Sequence, residues 1–214
     1  GELAAGLAHE IKNPLSGIKG VIDILLLDRE MDKDDEREIL ESVRHEIDRI
    51  DKTVRALLQH SRPRPLEIKP FPLDETIRRA VRFAAHQTSI KHVGQSSAPI
   101  QHCLGDESLI VPHDSAGIED AVLNLILNAR DAIGARTDGL ISVSLDISES
   151  EVGEKRAVIE VTDNGCGISS DLLEKIFRPF HTSKKDGTGL GLASVRRIAR
   201  AHGGDCTVRS KLES

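Results

Sequence analysis

The chain has 214 residues, which is enough for one large domain or two small ones that each bury a core. Hydrophobic residues make up 38% and charged residues 30% of the sequence, a composition that excludes a disordered chain. The net charge of −6 argues against nucleic-acid binding, because duplex binding depends on Lys and Arg that neutralise phosphates. No stretch approaches the roughly 20 apolar residues of a membrane span.

Two long helices are predicted first, over residues 3–29 and 35–60, joined by a charged turn at residues 28–35. Pro14 interrupts the first helix, and we expect a bend there because proline frees the carbonyl four residues earlier. The second helix carries a regular apolar seam from Ile39 to Leu58. A two-helix hairpin has too little interior to be stable alone, so the seam predicts pairing with a second copy into a four-helix bundle.

A proline-rich stretch beginning at Arg62 ends the second helix and predicts a domain boundary between residues 62 and 63. Beyond it the pattern becomes α/β. Helices are predicted over residues 73–87, 115–136, 170–176 and 189–201, and strands over residues 100–104, 141–147, 157–162 and 205–210. The strands over 141–147 and 157–162 are predicted to form an antiparallel hairpin. The three cysteines, at 103, 166 and 206, have no CxxC spacing, which favours a reducing compartment over a disulfide framework.

A candidate nucleophile lies on the first helix, at His9. Its imidazole is followed by the carboxylate of Glu10, a possible base. His9 and Asn13 are four residues apart and therefore share a helix face. The cluster combines a nucleophile, a possible base and an amide that can orient water.

Asn124 and Asn128 are four residues apart, so both amides project from one face of an otherwise apolar helix. Ordinary polar-face or capping asparagines explain this pair equally well. Amide oxygens are, however, hard ligands that suit Mg²⁺, which is commonly held by one or two protein oxygens together with phosphates.

A second candidate segment, Asp163-Asn164-Gly165-Cys166-Gly167, follows a predicted strand. These are turn residues in any case, so an ordinary turn is one interpretation. In the functional interpretation, the carboxylate accepts a hydrogen bond from the amino group of adenine, whereas it would repel the carbonyl of guanine. The two glycines let the backbone approach the base, and Cys166 is expected to serve in packing.

A third segment, Gly187-Thr188-Gly189-Leu190-Gly191-Leu192, opens a predicted helix. Backbone N–H groups at a glycine-rich helix start can bind phosphate, although a structural turn is an equally good interpretation of this segment alone. It is neither a dinucleotide fingerprint nor a Walker A loop, because the required crossover and the Lys-Ser/Thr pair are missing.

Taken together, these segments resemble the catalytic core of a sensor histidine kinase of two-component signalling. The segments that carry the resemblance are His9–Leu15 (H box), Asn124–Ala132 (N box), Asp163–Gly167 (G1 box), Phe177–Phe180 (F box) and Gly187–Leu192 (G2 box). They occur in the family's order, and the resemblance covers nearly the whole chain. The Asn-Ala-Arg-Asp-Ala ending of the N box is similar to the nitrogen-regulator branch.

The resemblance implies an α+β protein with two domains. Residues 1–62 would form the dimerisation and histidine-phosphotransfer hairpin, and residues 63–214 an α/β sandwich of the Bergerat ATP-binding type whose last strand is expected to be missing. It implies ATP and Mg²⁺ as cofactors, a homodimer through the hairpin, and the receiver domain of a response regulator as partner. We expect a cytoplasmic location, with membrane attachment only through segments absent from this chain.

The resemblance also implies a role for each site residue. His9 would accept the phosphoryl group, Glu10 would act as base or orienting group, and Asn13 would position water in the reverse, phosphatase direction. Asn128 would hold Mg²⁺ with Asn124 nearby, and Asp163 would bind adenine. Further contacts to the nucleotide are implied for Asp131, Gly165, Gly167, Lys184, Lys185, Gly187, Thr188, Gly189, Leu190 and Gly191.

Residues 177–186 would form a lid over ATP, and the sequence does not separate Lys184 from Lys185 as the phosphate-binding lysine. His181 in the lid is a weaker candidate for a phosphate contact, and the remaining histidines are interpreted as surface or packing residues. Two rival hypotheses stay open. One is a non-catalytic dimeric module that docks a receiver, and the other is an enzyme directed mainly toward the phosphatase reaction.

Overall fold

The computed structural model describes residues 2–27, 32–61, 65–91, 98–105, 108–149, 153–182, 184 and 187–212. The chain forms two compact units. The first comprises residues 1–64 with 177–190, and the second comprises residues 65–176 with 191–214. No helix among the described residues combines the length and the apolar character needed to cross a bilayer.

The first unit contains the two predicted long helices, α1 (Glu2–Leu27) and α2 (Lys33–Ser61). They pack closely, since a Cβ atom added at Gly17 would lie 3.8 Å from Cγ of Glu46. Helix α1 includes Pro14, which is buried, so the helix predicted on both sides of this proline is continuous. Residues 28–31 of the predicted charged turn lie outside the described residues, and α2 begins at Lys33, two residues earlier than predicted.

The second unit is the α/β part of the chain. Its elements are β1 (Lys69–Pro72), α3 (Leu73–Lys91), β2 (Ile100–Cys103), β3 (Ile110–His113), α4 (Ser115–Ile133), β4 (Ile141–Glu149), β5 (Lys155–Asp163), α5 (Ser170–Leu173) and α6 (Gly191–Ala201). Strand β4 is central in the larger sheet, where it pairs in parallel with β2 and antiparallel with β5. The predicted hairpin of β4 and β5 is therefore confirmed.

Helix α4 is packed on two sides. On one side Ile126 lies in the main core with Ile77 of α3 and Ile141 of β4, and all three are fully buried. On another side Ala121 packs against Val195 and Ile198 of α6 in a second apolar cluster. Because two layers bury α4, the rest of its surface is the place where polar side chains can reach a ligand.

Strands β1 and β3 were not predicted, because Pro70 and Pro72 suggested a break in regular structure. The two strands form a separate antiparallel pair in which Pro70 lies opposite Pro112. Proline is tolerated in such short edge pairings because not every backbone N–H is needed for the ladder.

Several predicted boundaries were wrong, and two of the differences have a local cause. Helix α3 continues to Lys91 rather than ending at residue 87. Helix α4 ends at Ile133 rather than residue 136, because Gly134 adopts a positive φ of 58°. Helix α6 begins at Gly191 rather than residue 189, because Gly189 has a positive φ of 63°. The helix predicted over residues 170–176 is a single turn, α5.

The strand predicted over residues 205–210 is absent, since residues 203–212 have no regular secondary structure. Asp205 explains part of this. Its Oδ1 accepts a hydrogen bond from the backbone N–H of Cys206 at 2.8 Å and another from Nε of Arg196 at 3.1 Å. The backbone after α6 thus finds a hydrogen-bond partner locally instead of in a ladder.

Asp205 predicts an acid-sensitive contribution to stability. The Cys206 N–H, followed by the Arg196 guanidinium, lowers the pKa of the Asp205 carboxyl from 3.8 to about 2. A pKa that is lower in the folded state gives stability that is present above about pH 4 and lost as the pH falls toward 2. We expect Asp205→Asn to lower the urea midpoint near neutral pH and to flatten this loss between pH 4 and 2.

The matched control is Asp146→Asn, which changes an exposed aspartate on β4. Its urea midpoint, followed by circular dichroism, should stay at the wild-type value near neutral pH. A wild-type acid profile in the Asp205 variant would show that this carboxylate does not hold the end of α6.

Candidate functional site

Helix α4 carries the centre of the candidate site. Asn124, Asn128 and Ala132 follow one another at four-residue spacing, so they form one row that spans about 12 Å along the helix. Both asparagines are half-buried. The turn after β5 meets this row at its Ala132 end, and the start of α6 meets it at its Asn124 end.

At the Ala132 end the contact requires glycine. A Cβ atom added at Gly165 would lie 2.5 Å from the carbonyl carbon of Ala132. The neighbouring backbone N–H of Cys166 donates to the Ala132 carbonyl at 3.0 Å. Because Ala132 lies in the last turn of α4, this hydrogen bond attaches the turn after β5 to the C-terminal end of the helix.

Asp163 begins this turn, and its own side chain helps to shape it. Oδ1 of Asp163 accepts the N–H of Gly165 at 2.9 Å. The side-chain amide of Asn164 also stabilises the turn. Its Oδ1 accepts the N–H of Leu140, and its Nδ2 donates to the carbonyl of Asp138, both at 2.7 Å. Asp163 is nonetheless exposed, and an ionised carboxylate can accept several more hydrogen bonds.

Gly167 is a second position that only glycine can occupy. Its φ is +74°, and an added Cβ would collide with the carbonyl oxygen of Lys211. One residue later, the N–H of Ile168 donates to the hydroxyl of Ser210 at 2.9 Å. The segment around Ser210 therefore packs against this turn.

At the other end of the row, α6 begins directly against the two asparagines. A Cβ added at Gly191 would lie 3.2 Å from Oδ1 of Asn124 and 3.8 Å from Nδ2 of Asn128. The amide of Asn124 is oriented by α4 itself, because Nδ2 donates to the carbonyl of Asp120 at 2.9 Å. The unpaired N–H groups at a helix start favour an anion, and the absent side chain leaves room for one.

A cation at this end would have amide oxygens as protein ligands. The described residues contain no group of three or more His, Cys, Asp or Glu side chains that could hold a metal ion. Two asparagine amides beside an anion-favouring helix start fit Mg²⁺ held jointly by protein and phosphate oxygens. Asp131, on the same helix, is exposed.

The remaining candidates lie in the first unit. His9 and Glu10 lie on helix α1, and their side chains are outside the described part of the structure; Asn13 is exposed on the same helix. Lys184 is exposed, and Lys185 lies outside the described residues.

Among residues 177–190, the part that the structure describes (177–182, 184 and 187–190) contains tight local turns. The N–H of Lys184 donates to the Thr182 hydroxyl at 3.0 Å, and the N–H of Gly187 donates to the Lys184 carbonyl at 3.3 Å. A Cβ at Gly189 would lie 2.5 Å from the carbonyl carbon of Phe180, which itself has a positive φ of 61°. Thr188 is half-buried, and Leu190 is buried, so a ligand would meet the backbone of Leu190 rather than its side chain.

One expectation about a single residue needs correction, and one network was missed. Cys166 is exposed, so it does not serve in packing. His113 and His202 were interpreted only as surface or packing residues, but His113 hydrogen-bonds with Thr76 of α3 and Ser115 of α4, and His202 accepts the N–H of Asp114. The sequence contains no spacing signal for this network, because its partners are up to 88 positions apart.

Two protein families match the chain. Residues 113–214 match the family described as histidine kinase-, DNA gyrase B- and HSP90-like ATPase. Residues 1–65 match the His kinase A (phospho-acceptor) domain.

Similar proteins agree with these matches. The chain is 36% identical to the signal transduction histidine-protein kinase AtoS of Escherichia coli K12, over 98% of this chain and 32% of AtoS. It is 34% identical to the sensory histidine kinase/phosphatase NtrB of Rhizobium leguminosarum bv. phaseoli, over 94% of this chain and 53% of NtrB. The chain thus spans about a third to a half of the length of these relatives.

Among solved structures, the chain is similar to the histidine kinase ThkA in its complex with the response regulator protein TrrA. The TM-score is 0.71 at 29% identity, and the match covers 95% of this chain and 55% of ThkA.

The close contact at Gly165 can be tested by stability. Gly165→Ala forces a methyl group onto the end of α4, and overpacking of this kind costs about 1–3 kcal/mol. The control is Gly204→Ala in the same unit, where the added Cβ would lie 3.4 Å from the nearest atom, the carbonyl oxygen of Ala199. Urea unfolding should separate the two variants, and equal stabilities would contradict the described contact between the turn and α4.

Proposed function

Because the chain belongs to the sensor histidine kinase family, we propose that it binds ATP and transfers the γ-phosphoryl group to His9, and then to an aspartate of a response regulator. The observation that carries this proposal is the α4 row. One helix face meets an exposed carboxylate turn at one end and a glycine-rich helix start at the other. A nucleotide has the same polarity, with a base at one end and phosphates at the other.

The base end selects adenine. Asp163 offers an acceptor to the 6-amino group of adenine, whereas guanine would present a carbonyl that the carboxylate repels. Because the Gly165 N–H already orients Oδ1, this acceptor is held in place before the nucleotide arrives. Gly165 and Gly167 keep the backbone of the turn free of side chains where the ring would lie.

The phosphate end combines the start of α6 with the two asparagines. Backbone N–H groups around Gly191 would bind phosphate oxygens, and Asn128, with Asn124 beside it, would hold Mg²⁺. Bound Mg²⁺ neutralises charge that develops on the phosphates during transfer. Lys184 or Lys185, together with residues 187–190, would supply further contacts when residues 177–190 cover the nucleotide, and Asp131 would contribute from the exposed side of α4.

The reaction itself needs positioning more than acid–base chemistry. An imidazole nitrogen of His9 would attack the γ-phosphorus with its lone pair, while the bond from that phosphorus to the β–γ bridging oxygen breaks and ADP leaves. An unperturbed imidazole has a pKa of about 6.5 and is mostly neutral near pH 7, so it needs little activation. Glu10 would orient the ring and take up the proton that the ring gives up.

The partners follow from the hairpin and from the relatives. Large apolar side chains are exposed on the hairpin, at Leu15, Ile22, Ile24, Leu26, Leu40 and Ile47. We propose that a second copy covers them in a four-helix bundle, with residues 1–62 as the dimerisation domain and 63–214 as the ATP-binding domain. The response regulator in the ThkA complex supports a receiver domain as the protein substrate.

A second activity is supported by Asn13. Its exposed amide follows His9 by one helical turn, where it could orient a water molecule toward a phosphorylated receiver. NtrB, a relative at 34% identity, is named a kinase/phosphatase. We therefore include receiver dephosphorylation in the proposal.

Labelled ATP tests the kinase activity and separates it from a non-catalytic docking module. The wild-type chain should acquire acid-labile label from γ-labelled ATP with Mg²⁺. His9→Gln should acquire none, since no other side chain takes its place. His45→Gln, which changes an exposed histidine on α2, should label like the wild type. Label that persists in the His9 variant would exclude His9 as the acceptor.

Substitution of Asn13 tests the phosphatase activity. Asn13→Ala should keep autophosphorylation within about twofold while slowing receiver dephosphorylation by about tenfold or more, because only hydrolysis needs an oriented water. The two rates are measured by label retained on the kinase and on a phosphorylated receiver. A parallel loss of both would refute the separate role of Asn13.

A further inference from the structure

A histidine links the end of helix α6 to the start of helix α4. Nε2 of His202 lies 2.9 Å from the backbone nitrogen of Asp114, and Nδ1 lies 2.8 Å from the carbonyl oxygen of Ile198. A backbone N–H can only donate, so Nε2 is the unprotonated nitrogen. Nδ1 therefore carries the proton and donates to Ile198.

The Asp114 N–H is a group that needs this acceptor. Asp114 directly precedes α4, and the residue is 4% exposed. Its carbonyl already accepts the N–H of Ile118 at 3.0 Å, which is the first hydrogen bond of the helix. The site is also tightly packed, because a Cβ at Gly117 would lie 2.9 Å from Oδ2 of Asp114.

The same two helices meet again at the nucleotide site. Gly191, the first residue of α6, lies against Asn124 of α4. From Gly191 to His202 the helix rises about 16 Å, and from Asp114 to Asn124 about 15 Å. The two antiparallel segments have matching lengths, and the cluster of Ala121, Val195 and Ile198 fills the space between their ends. A helix is stiff along its axis, so the contact at one end sets the position of the other.

We propose that His202 is a positioning residue of the nucleotide site. Its acceptor nitrogen fixes the axial position of α6 on α4, and so holds the N–H groups around Gly191 at the correct distance from Asn124 and Asn128. The effect concerns the phosphate end only, because the turn at Asp163 is held by separate hydrogen bonds to Ala132 and Leu140. This inference rests on the proposed function of the site.

Three variants of the full chain test it. His202→Leu keeps an apolar side chain of similar size but removes the acceptor. His202→Gln keeps an acceptor oxygen at a similar reach. His102→Leu is the control, since His102 is an exposed histidine on β2. Each variant is titrated with ATP and Mg²⁺ by calorimetry, and with adenosine by NMR, which detects weak binding.

We expect His202→Leu to weaken ATP binding about tenfold, the effect of one lost hydrogen bond to a buried group. His202→Gln should recover to within about threefold of wild type, and His102→Leu should match the wild type. Adenosine has no phosphates, so its affinity should be the same in all four proteins. In wild-type protein, the ¹⁵N shifts of His202 should report the proton on Nδ1.

Several results would overturn the proposal: ATP binding by His202→Leu at wild-type strength, an equal loss of ATP and adenosine binding, no recovery with His202→Gln, or a proton on Nε2 in the wild type. Should His202→Leu fail to fold, the His202→Gln titrations and the ¹⁵N shifts still decide the question. A wild-type chain that binds no ATP would instead contradict the proposed function.

Discussion

The contact between helix α4 and two glycines is the constraint on which the candidate site depends. Gly165 lets the turn after β5 reach the end of α4, and Gly191 lets α6 begin beside Asn124. A side chain at position 165 would meet the backbone of Ala132 and push the turn away from the helix, whereas one at position 191 would require the Asn124 side chain to shift by a few tenths of an ångström. The site therefore depends on the close approach of the turn after β5 and the start of α6 to helix α4. Asn124 and Asn128 lie beside the start of α6 because of that approach.

The packing of α4 explains why this helix can organise a ligand site. Its apolar residues are buried against the sheet on one side and against α6 on another. Such a helix is rigid, because moving it would open two apolar interfaces at once. Asn124 and Asn128 are carried on this rigid support. Residues 177–190 belong to the other compact unit, and their described part contains hydrogen-bonded turns around Thr182 and Lys184.

Much of the architecture could be predicted from the sequence where periodicity is strong. The apolar seam from Ile39 predicted helix α2, and the strands predicted over residues 141–147 and 157–162 correspond to β4 and β5 with their antiparallel pairing. Strands β1 and β3 could not be predicted, because four-residue strands containing prolines have no periodic signal. Asp205 illustrates another limit. Its carboxylate accepts hydrogen bonds from Arg196 and from the next backbone N–H, and these local contacts are found where a strand over residues 205–210 was predicted.

The residues of the candidate site also divide into those that could be predicted from the sequence and those that could not. Asp163, Gly165 and Gly191 were recognisable because turn and helix-start chemistry restricts the residue types. The hydrogen bond between Asp114 and His202 was not, since it joins residues far apart in sequence and depends on how α6 packs on α4. Local chemistry therefore identified the parts of the site, whereas the tertiary contacts that hold them at fixed distances required the structure.

A structure of the chain with Mg²⁺ and a non-hydrolysable ATP analogue would show whether α4 organises the nucleotide site. We expect the adenine amino group within hydrogen-bond distance of the Asp163 carboxylate, the phosphates at the N–H groups around Gly191, and the metal at the amide oxygen of Asn128. A nucleotide bound elsewhere, or one whose base avoids the turn after β5, would contradict it.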